Sequence, residues 1–287
     1  MSNQVQNAAD PLSVSNADFE TFREFFYKHT GMLFEESKRY YVDKRLIERM
    51  EATRSTTFRD YLAMARLEAS GAEVQALVNA LTVNETYFFR DLAQIECLTY
   101  RMLPEVLANQ KGVKKTIKIW SSPCSSGEEP YSIAIHLLEY WPQVDDYEIE
   151  IFGTDIDSRV IQQAASGIYS MRSTQNLPKH ILKRYFTPVS GDRLEISADL
   201  RGSIHFQQVN IMNAAQTRSF RDFDIIFSRN MLIYFDSKSR RIAAQTFFDA
   251  LKPGGFVCLA PTEPMNNITS LFKTRSFPGV TTYQRPL

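Results

Sequence analysis

Near residue 115 the hydrophobic rhythm of this chain changes, and that change narrows the folds open to it. Before it, apolar residues recur at helical spacing: Phe19, Phe22 and Phe26, then Phe58, Tyr61, Leu62 and Ala65, then Val74, Leu77, Val78 and Leu81. After it, short strand-like runs appear at Thr116–Ser121, Glu148–Thr154, His205–Val209, Phe223–Ser228 and Gly255–Ala260. Helical patterns from Pro130 to Tyr140, about Ser158 to Ala165, and Lys238 to Leu251 lie among them. Strand–helix–strand alternation specifies a parallel sheet covered on both faces. An all-helical segment followed by an α/β domain is therefore expected.

Residues 1–14 read as a disordered lead-in. The first helix opens at Ser15 with Asp18 completing a capping box, and Gly31 stops it. A second helix fits about Ser37 to Thr53, and a third starts at Thr57 with Asp60 at the box position. A fifth carries Ile95, Leu98 and Met102, so residues 15–107 form one helical domain. Residues 108–115 are polar, contain Gly112 and serve as a linker to an α/β domain over 116–287. Within about 185–206 the strand–helix rhythm breaks, and Ser190-Gly191-Asp192 between strand-like runs marks an inserted β-hairpin. Leu251-Lys252-Pro253-Gly254-Gly255 is expected to end a helix and turn into the next strand.

Lys plus Arg and Asp plus Glu both number 33, so the chain lacks the cationic excess on which non-specific nucleic-acid binding rests. The cysteines, Cys97, Cys124 and Cys258, are odd in number and far apart, which argues against a disulfide framework or a zinc site. With no signal pattern and no apolar run of membrane length, a cytoplasmic protein without membrane insertion is expected.

Three strand ends carry chemistry. The first runs into Ser-Ser-Pro-Cys-Ser-Ser-Gly-Glu-Glu-Pro-Tyr, residues 121–131. Ligands of open α/β sheets bind outside the carboxyl ends of the strands. Glu128 and Glu129 would repel phosphate and suit a cationic ligand such as an ammonium or sulfonium, although an ordinary turn with a solvated acid pair has the same composition. The second strand ends in Asp155-Ile156-Asp157; Asp155 can accept hydrogen bonds from both hydroxyls of a ribose, while Asp157 suits the N-cap of the next helix. The fourth ends in Ser228-Arg229-Asn230 and continues to Tyr234, without the Asn-Pro-Pro-Tyr of many amino-group methyltransferases.

Together these segments resemble the CheR family of chemotaxis receptor glutamate methyltransferases. The matching residues are Thr82–Asp91, Gly127–Ser132, Thr154–Asp157, Gly167–Tyr169, Arg184–Phe186, Ser228–Asn230 with Ile233–Phe235, and Leu251–Gly255, in family order across about residues 15 to 285. The resemblance implies a class I S-adenosylmethionine-dependent (Rossmann-like) methyltransferase domain with a small β-subdomain, preceded by the helical domain. It implies that Asn84, Thr86 and Arg90 line the cofactor or reaction cleft, and that Glu129, in preference to Glu128, meets the methionine ammonium. Asp155 would take the ribose, Asn210 and Ile211 would flank the adenine, Ser228 and Arg229 would border the cofactor, and Tyr234 would face the methyl group.

An acceptor carboxylate is ionised at neutral pH, so no general base and no metal is required. Positioning and desolvation then dominate, with Arg90 as a two-pronged carboxylate holder and Tyr234 beside it. The implied products are glutamate methyl esters and S-adenosylhomocysteine. The implied partners are the cytoplasmic methylation helices of chemoreceptors, met by a monomer. Residues 38–66 hold eight basic residues against four acidic ones, and Lys38, Arg45 and Arg49 are the expected docking residues. The hairpin connection is shorter than the glycine-rich loop of tethering relatives and contains Pro188, so no C-terminal pentapeptide tether is expected.

Overall fold

The computed structural model describes residues 12–109 and 116–287, so most of the expected lead-in and linker lies outside the described residues. Among the described residues no helix is long and apolar enough to cross a membrane. The chain divides into two compact units, one ending at Thr82 and one beginning at Val83.

The first unit is four helices: α1 (Asn16–Thr30), α2 (Arg39–Thr53), α3 (Phe58–Leu67) and α4 (Ala72–Leu81). The Ser15/Asp18 capping box opens α1 as expected, and Gly31 closes it in the left-handed region at φ 73°. Apolar positions three and four apart turn Phe22, Phe26, Leu46, Met50, Tyr61 and Leu77 to a common core, each fully buried. Burial of each such side chain stabilises by about 1.5–3 kcal/mol. An ion pair reaches into this core. Arg49 on α2 donates to both oxygens of buried Glu73 on α4, at 3.0 and 2.6 Å, and the Tyr61 hydroxyl donates to the same carboxylate at 2.8 Å. Arg49, read from sequence as a docking residue, is thus committed inside its own unit.

The second unit opens with α5 (Leu92–Cys97), a wide turn over Leu98–Met102 and α6 (Leu103–Asn109). Then follow β1 (Thr116–Ser121), α7 (Glu128–Tyr140), β2 (Glu148–Asp155), α8 (Ser158–Ser166), β3 (Ile168–Ser170) and α9 (Lys179–Tyr185). Next come β4 (Phe186–Val189), β5 (Arg193–Ile196), α10 (Ala198–Ser203), β6 (Ile204–Gln208) and α11 (Ala214–Thr217). The last elements are β7 (Phe223–Ser228), α12 (Ser237–Ala250), β8 (Leu251–Leu259), β9 (Lys273–Phe277) and β10 (Val280–Gln284).

The main sheet has seven strands in the order β6-β2-β1-β7-β8-β10-β9. The first five in that order run parallel, and β10 and β9 add an antiparallel edge that the sequence reading did not anticipate. The register pairs Ser121 with Gly153 on one side and with Phe227 on the other, which brings the carboxyl ends of β1, β2 and β7 side by side. The expected hairpin is β4–β5, and β3 joins it to make a separate three-stranded sheet.

The helical domain expected over 15–107 ends instead at Thr82, α5 and α6 belonging to the second unit, and the Leu251–Gly255 run is also different. α12 ends at Ala250, and β8 already begins at Leu251, so the glycines after Pro253 do not stop the helix. They form an irregularity in the β7–β8 pairing, with Gly254 at φ 82°. A Cβ on Gly255 would lie 2.8 Å from the Asp224 carbonyl, so close strand approach requires glycine there.

Candidate functional site

The end of β2 meets the loop after β1 through Asp155. Its carboxylate accepts from the backbone N–H of Ser125 at 2.9 Å and of Asp157 at 3.0 Å. The side chain is buried, and burial pushes its carboxyl up to about 6 against the pull of those hydrogen bonds. Asp157 takes the expected N-cap position of α8, accepting from the Arg159 N–H at 2.9 Å. The Asp155 carbonyl receives the Val209 N–H at 2.9 Å, which sets Asn210 and Ile211 just beyond β6 at the same edge. Asn210 there accepts from the Met212 N–H at 3.0 Å, and Ile211 is buried.

The two acids at the start of α7 differ. Glu128 is buried and accepts from the Ser126 and Ser173 hydroxyls, each at 2.7 Å. Burial raises its pKa. Glu129 is more open; it accepts from Ser121 at 2.7 Å and pairs with Arg229 at 2.9 Å.

Arg229 joins three segments. Its guanidinium reaches Glu129, the Arg90 carbonyl at 3.2 Å, and the carboxylate of Asp91. Its side chain is only 4% exposed, so this clamp holds the Asn84–Asp91 segment to the sheet edge. Asn84 adds a second attachment: its amide donates to Asp157 at 2.8 Å, and its carbonyl accepts from Ser125 at 3.1 Å. Phe88 adds a third, buried edge-on against Tyr169 and Phe186 of the small sheet. Arg90 donates from Nη1 to the Glu85 carbonyl at 2.9 Å and lies over the Tyr87 ring. Backbone strain concentrates here. Of six non-glycine residues with positive φ among the described residues, four belong to this edge: Phe89, Asp91, Ser125 and Asn230.

At the end of β7 the Ser228 hydroxyl is buried without a hydrogen-bond partner among the described residues. A buried orphan hydroxyl is a position where a ligand can supply the missing partner. The turn that follows, which leads to Tyr234, is held by Glu263. That carboxylate accepts from the N–H groups of Asn230 at 2.8 Å and Ile233 at 3.1 Å. Tyr234 is half-buried at the end of this turn. Ser173 and Glu263 carry no sequence signal, and Asp91, inside the Thr82–Asp91 motif, carries none for its role, because the partners of each lie far away in the chain. On the α8 side, Asn84, Thr86 and Glu128 also line a cleft of about 960 Å³.

A profile of the all-alpha domain of CheR methyltransferases matches residues 17–82, and one of their SAM-binding domain matches residues 84–280. The chain belongs to the CheR methyltransferase family. It is 46% identical to a chemotaxis protein methyltransferase 2 of Vibrio cholerae, over 96% of this chain and 95% of that one. It is 33% identical to a chemotaxis protein methyltransferase of Salmonella typhimurium, over 95% of this chain and 91% of the relative. A chemotaxis protein methyltransferase of Pseudomonas putida is 30% identical over 94% of this chain and 98% of its own length. CheR membership makes the second unit an S-adenosylmethionine-binding methyltransferase domain. Its residues fit that ligand: a buried carboxylate at the end of β2, an orphan hydroxyl at the end of β7 and acids at the start of α7 meet at one edge.

Proposed function

We propose that this protein methylates glutamate side-chain carboxylates of chemotaxis receptors, with glutamate methyl esters and S-adenosylhomocysteine as products. S-adenosylmethionine supplies an electrophilic methyl group on a sulfonium. Asp155 holds the ribose hydroxyls, Glu129 receives the ammonium, and Asn210 and Ile211 flank the adenine, with Asn84, Thr86, Ser228 and Arg229 completing the pocket. The observation that carries the reading is the Arg229 clamp. By bonding both the Arg90 carbonyl and Glu129, it ties the segment bearing the acceptor arginine to the cofactor edge.

Arg90 uses one N–H on the Glu85 carbonyl and presents the rest of its guanidinium for a bidentate grip on the acceptor carboxylate. That grip aims one oxygen and leaves it ionised, so attack needs no proton removal. Tyr234 donates to the same oxygen or shapes its pocket. In the first unit, Lys38 and Arg45 face the acidic receptor together with exposed Lys44 and Tyr40. Arg49 is omitted because it is bound to Glu73. The enzyme acts as a cytoplasmic monomer and does not need a receptor tail.

The test is transfer of tritiated methyl groups to receptor cytoplasmic fragments, followed by mild base. Glutamate esters release volatile methanol, and mass spectrometry locates them. Label that resists base, or that appears on RNA or DNA, would refute the assignment.

A further inference from the structure

A cleft borders the Asn84–Thr86 segment of the proposed methyl-transfer site. Its 960 Å³ lies at the upper end of the roughly 300–1,000 Å³ typical of small-ligand sites. Asn84 and Thr86 border it on one side, while α8, β3 and the turn after β3 form the rest.

Its charges are unequal in availability, and one of them, Glu85, is an exposed acid with no ion pair among the described residues. Glu128 faces inward and is occupied by two serine hydroxyls. Arg159 is paired with Asp157 at 3.1 Å. Arg172 and Arg193 also line the cleft, both are exposed, and neither has an ion-pair partner among the described residues. The fold brings these two together. Ser170 pairs with Arg193 across β3 and β5, and Arg172 follows two residues later in a turn fastened by the Met171 N–H to the Asp192 carbonyl. The turn is anchored to the site itself, since Ser173 bonds Glu128 through its hydroxyl and the Phe88 N–H through its carbonyl. Gln162, Gln163 and Gln175 line the same cleft with amides that can serve a polypeptide backbone.

We propose that Arg172 and Arg193 bind acidic side chains flanking the methylated glutamate, so that this cleft selects which acidic segments of the acceptor protein are modified. The proposal rests on the methyl-transfer reading above and names a specificity determinant within it. Two guanidinium groups without ion-pair partners outweigh the single exposed acid Glu85, so the available charge of the cleft complements an acidic segment, and Arg geometry suits carboxylates.

The test uses the full chain with Arg172→Gln and Arg193→Gln, singly and together, in steady-state methylation of a receptor cytoplasmic fragment. Two exposed pairs, each contributing a factor of about two to three, predict a KM for the receptor about fivefold higher in the double variant. The kcat and the affinity for S-adenosylhomocysteine should stay within about twofold, and the paired lysine variants should recover part of the loss. Calorimetry with S-adenosylhomocysteine checks that each variant is folded, and either single variant suffices if the double is not. Receptors whose flanking acids are changed to glutamine should lose the same factor with wild type and nothing further with the double variant. An unmoved KM in variants that bind S-adenosylhomocysteine, while wild type methylates the same fragment, would overturn the cleft assignment and leave the reaction intact. A wild type that methylates no receptor glutamate would overturn both.

Discussion

Lowering the pH from 7 to 5 should weaken binding of S-adenosylhomocysteine about tenfold through Asp155, since the apparent affinity scales with the fraction of protein in the binding-competent state. The carboxyl is displaced from an ordinary 3.8 to about 6 because it is buried beneath the loop after β1. With that value about nine-tenths of it is ionised at pH 7 and about one-tenth at pH 5. Ribose hydroxyls donate to the ionised form, so the bound state must expel the proton. Calorimetry at pH 7, 6 and 5, in buffers of different ionisation enthalpy, should show the weakening together with release of nearly one proton per ligand at pH 5. Below pH 7 the amine of the ligand stays protonated, since α-amino groups titrate near about 7.7–8.0. Stability moves the other way. The folded pKa lies above the unfolded one, so the contribution of this group is fully present below about 3.8 and is lost as pH rises through about 6. The whole effect is worth about 3 kcal/mol. Saturating ligand should flatten that slope. Asp155→Asn should bind weakly at every pH. A flat wild-type profile, or the same slope in the asparagine variant, would refute the argument; in the second case Glu128, also raised by burial, becomes the group to replace.

Arg49→Ala should lower unfolding free energy by about 2 kcal/mol in urea, below the range for fully buried pairs because the Arg49 side chain is 26% exposed. Arg45→Glu should instead raise the KM for receptor and leave the unfolding free energy within about 0.5 kcal/mol of wild type. Arg90→Lys should reduce kcat at least tenfold, since an ammonium cannot form the planar fork, with stability unchanged by thermal melting. Titration with the C-terminal pentapeptide of a receptor should produce no heat.

Some of this architecture is legible in the sequence for definite physical reasons. Capping boxes, helical periodicity and the abrupt polar ends of apolar strands are local signals, so α1, the Asp155–Asp157 strand end and the β7 exit could be found directly. The Pro-Gly-Gly run is ambiguous in sequence because a helix stop and a bulged strand ask for the same residues. The edge pair β9 and β10 is short and largely polar on its exposed side, which leaves little periodicity to detect. β3 has three residues and is defined by its partner rather than by itself. The Arg49–Glu73 pair spans 24 positions and Arg229–Asp91 spans 138, so neither could be read from spacing. These long-range pairs also decide which cations are available to a partner, and for that reason the candidate site was less legible than the fold.

Ser173 has a bearing on how such enzymes can be rebuilt. It belongs to the turn after β3, yet it holds both Glu128 and the backbone of Phe88. The small sheet is therefore not a detachable cassette. Exchanging it between relatives as a unit, in order to transplant partner choice, would also replace a fastening of the catalytic half. A chimaera with its seams at β4 and β5 leaves Ser173 in place, whereas one that also takes the turn after β3 must carry a hydroxyl at that position.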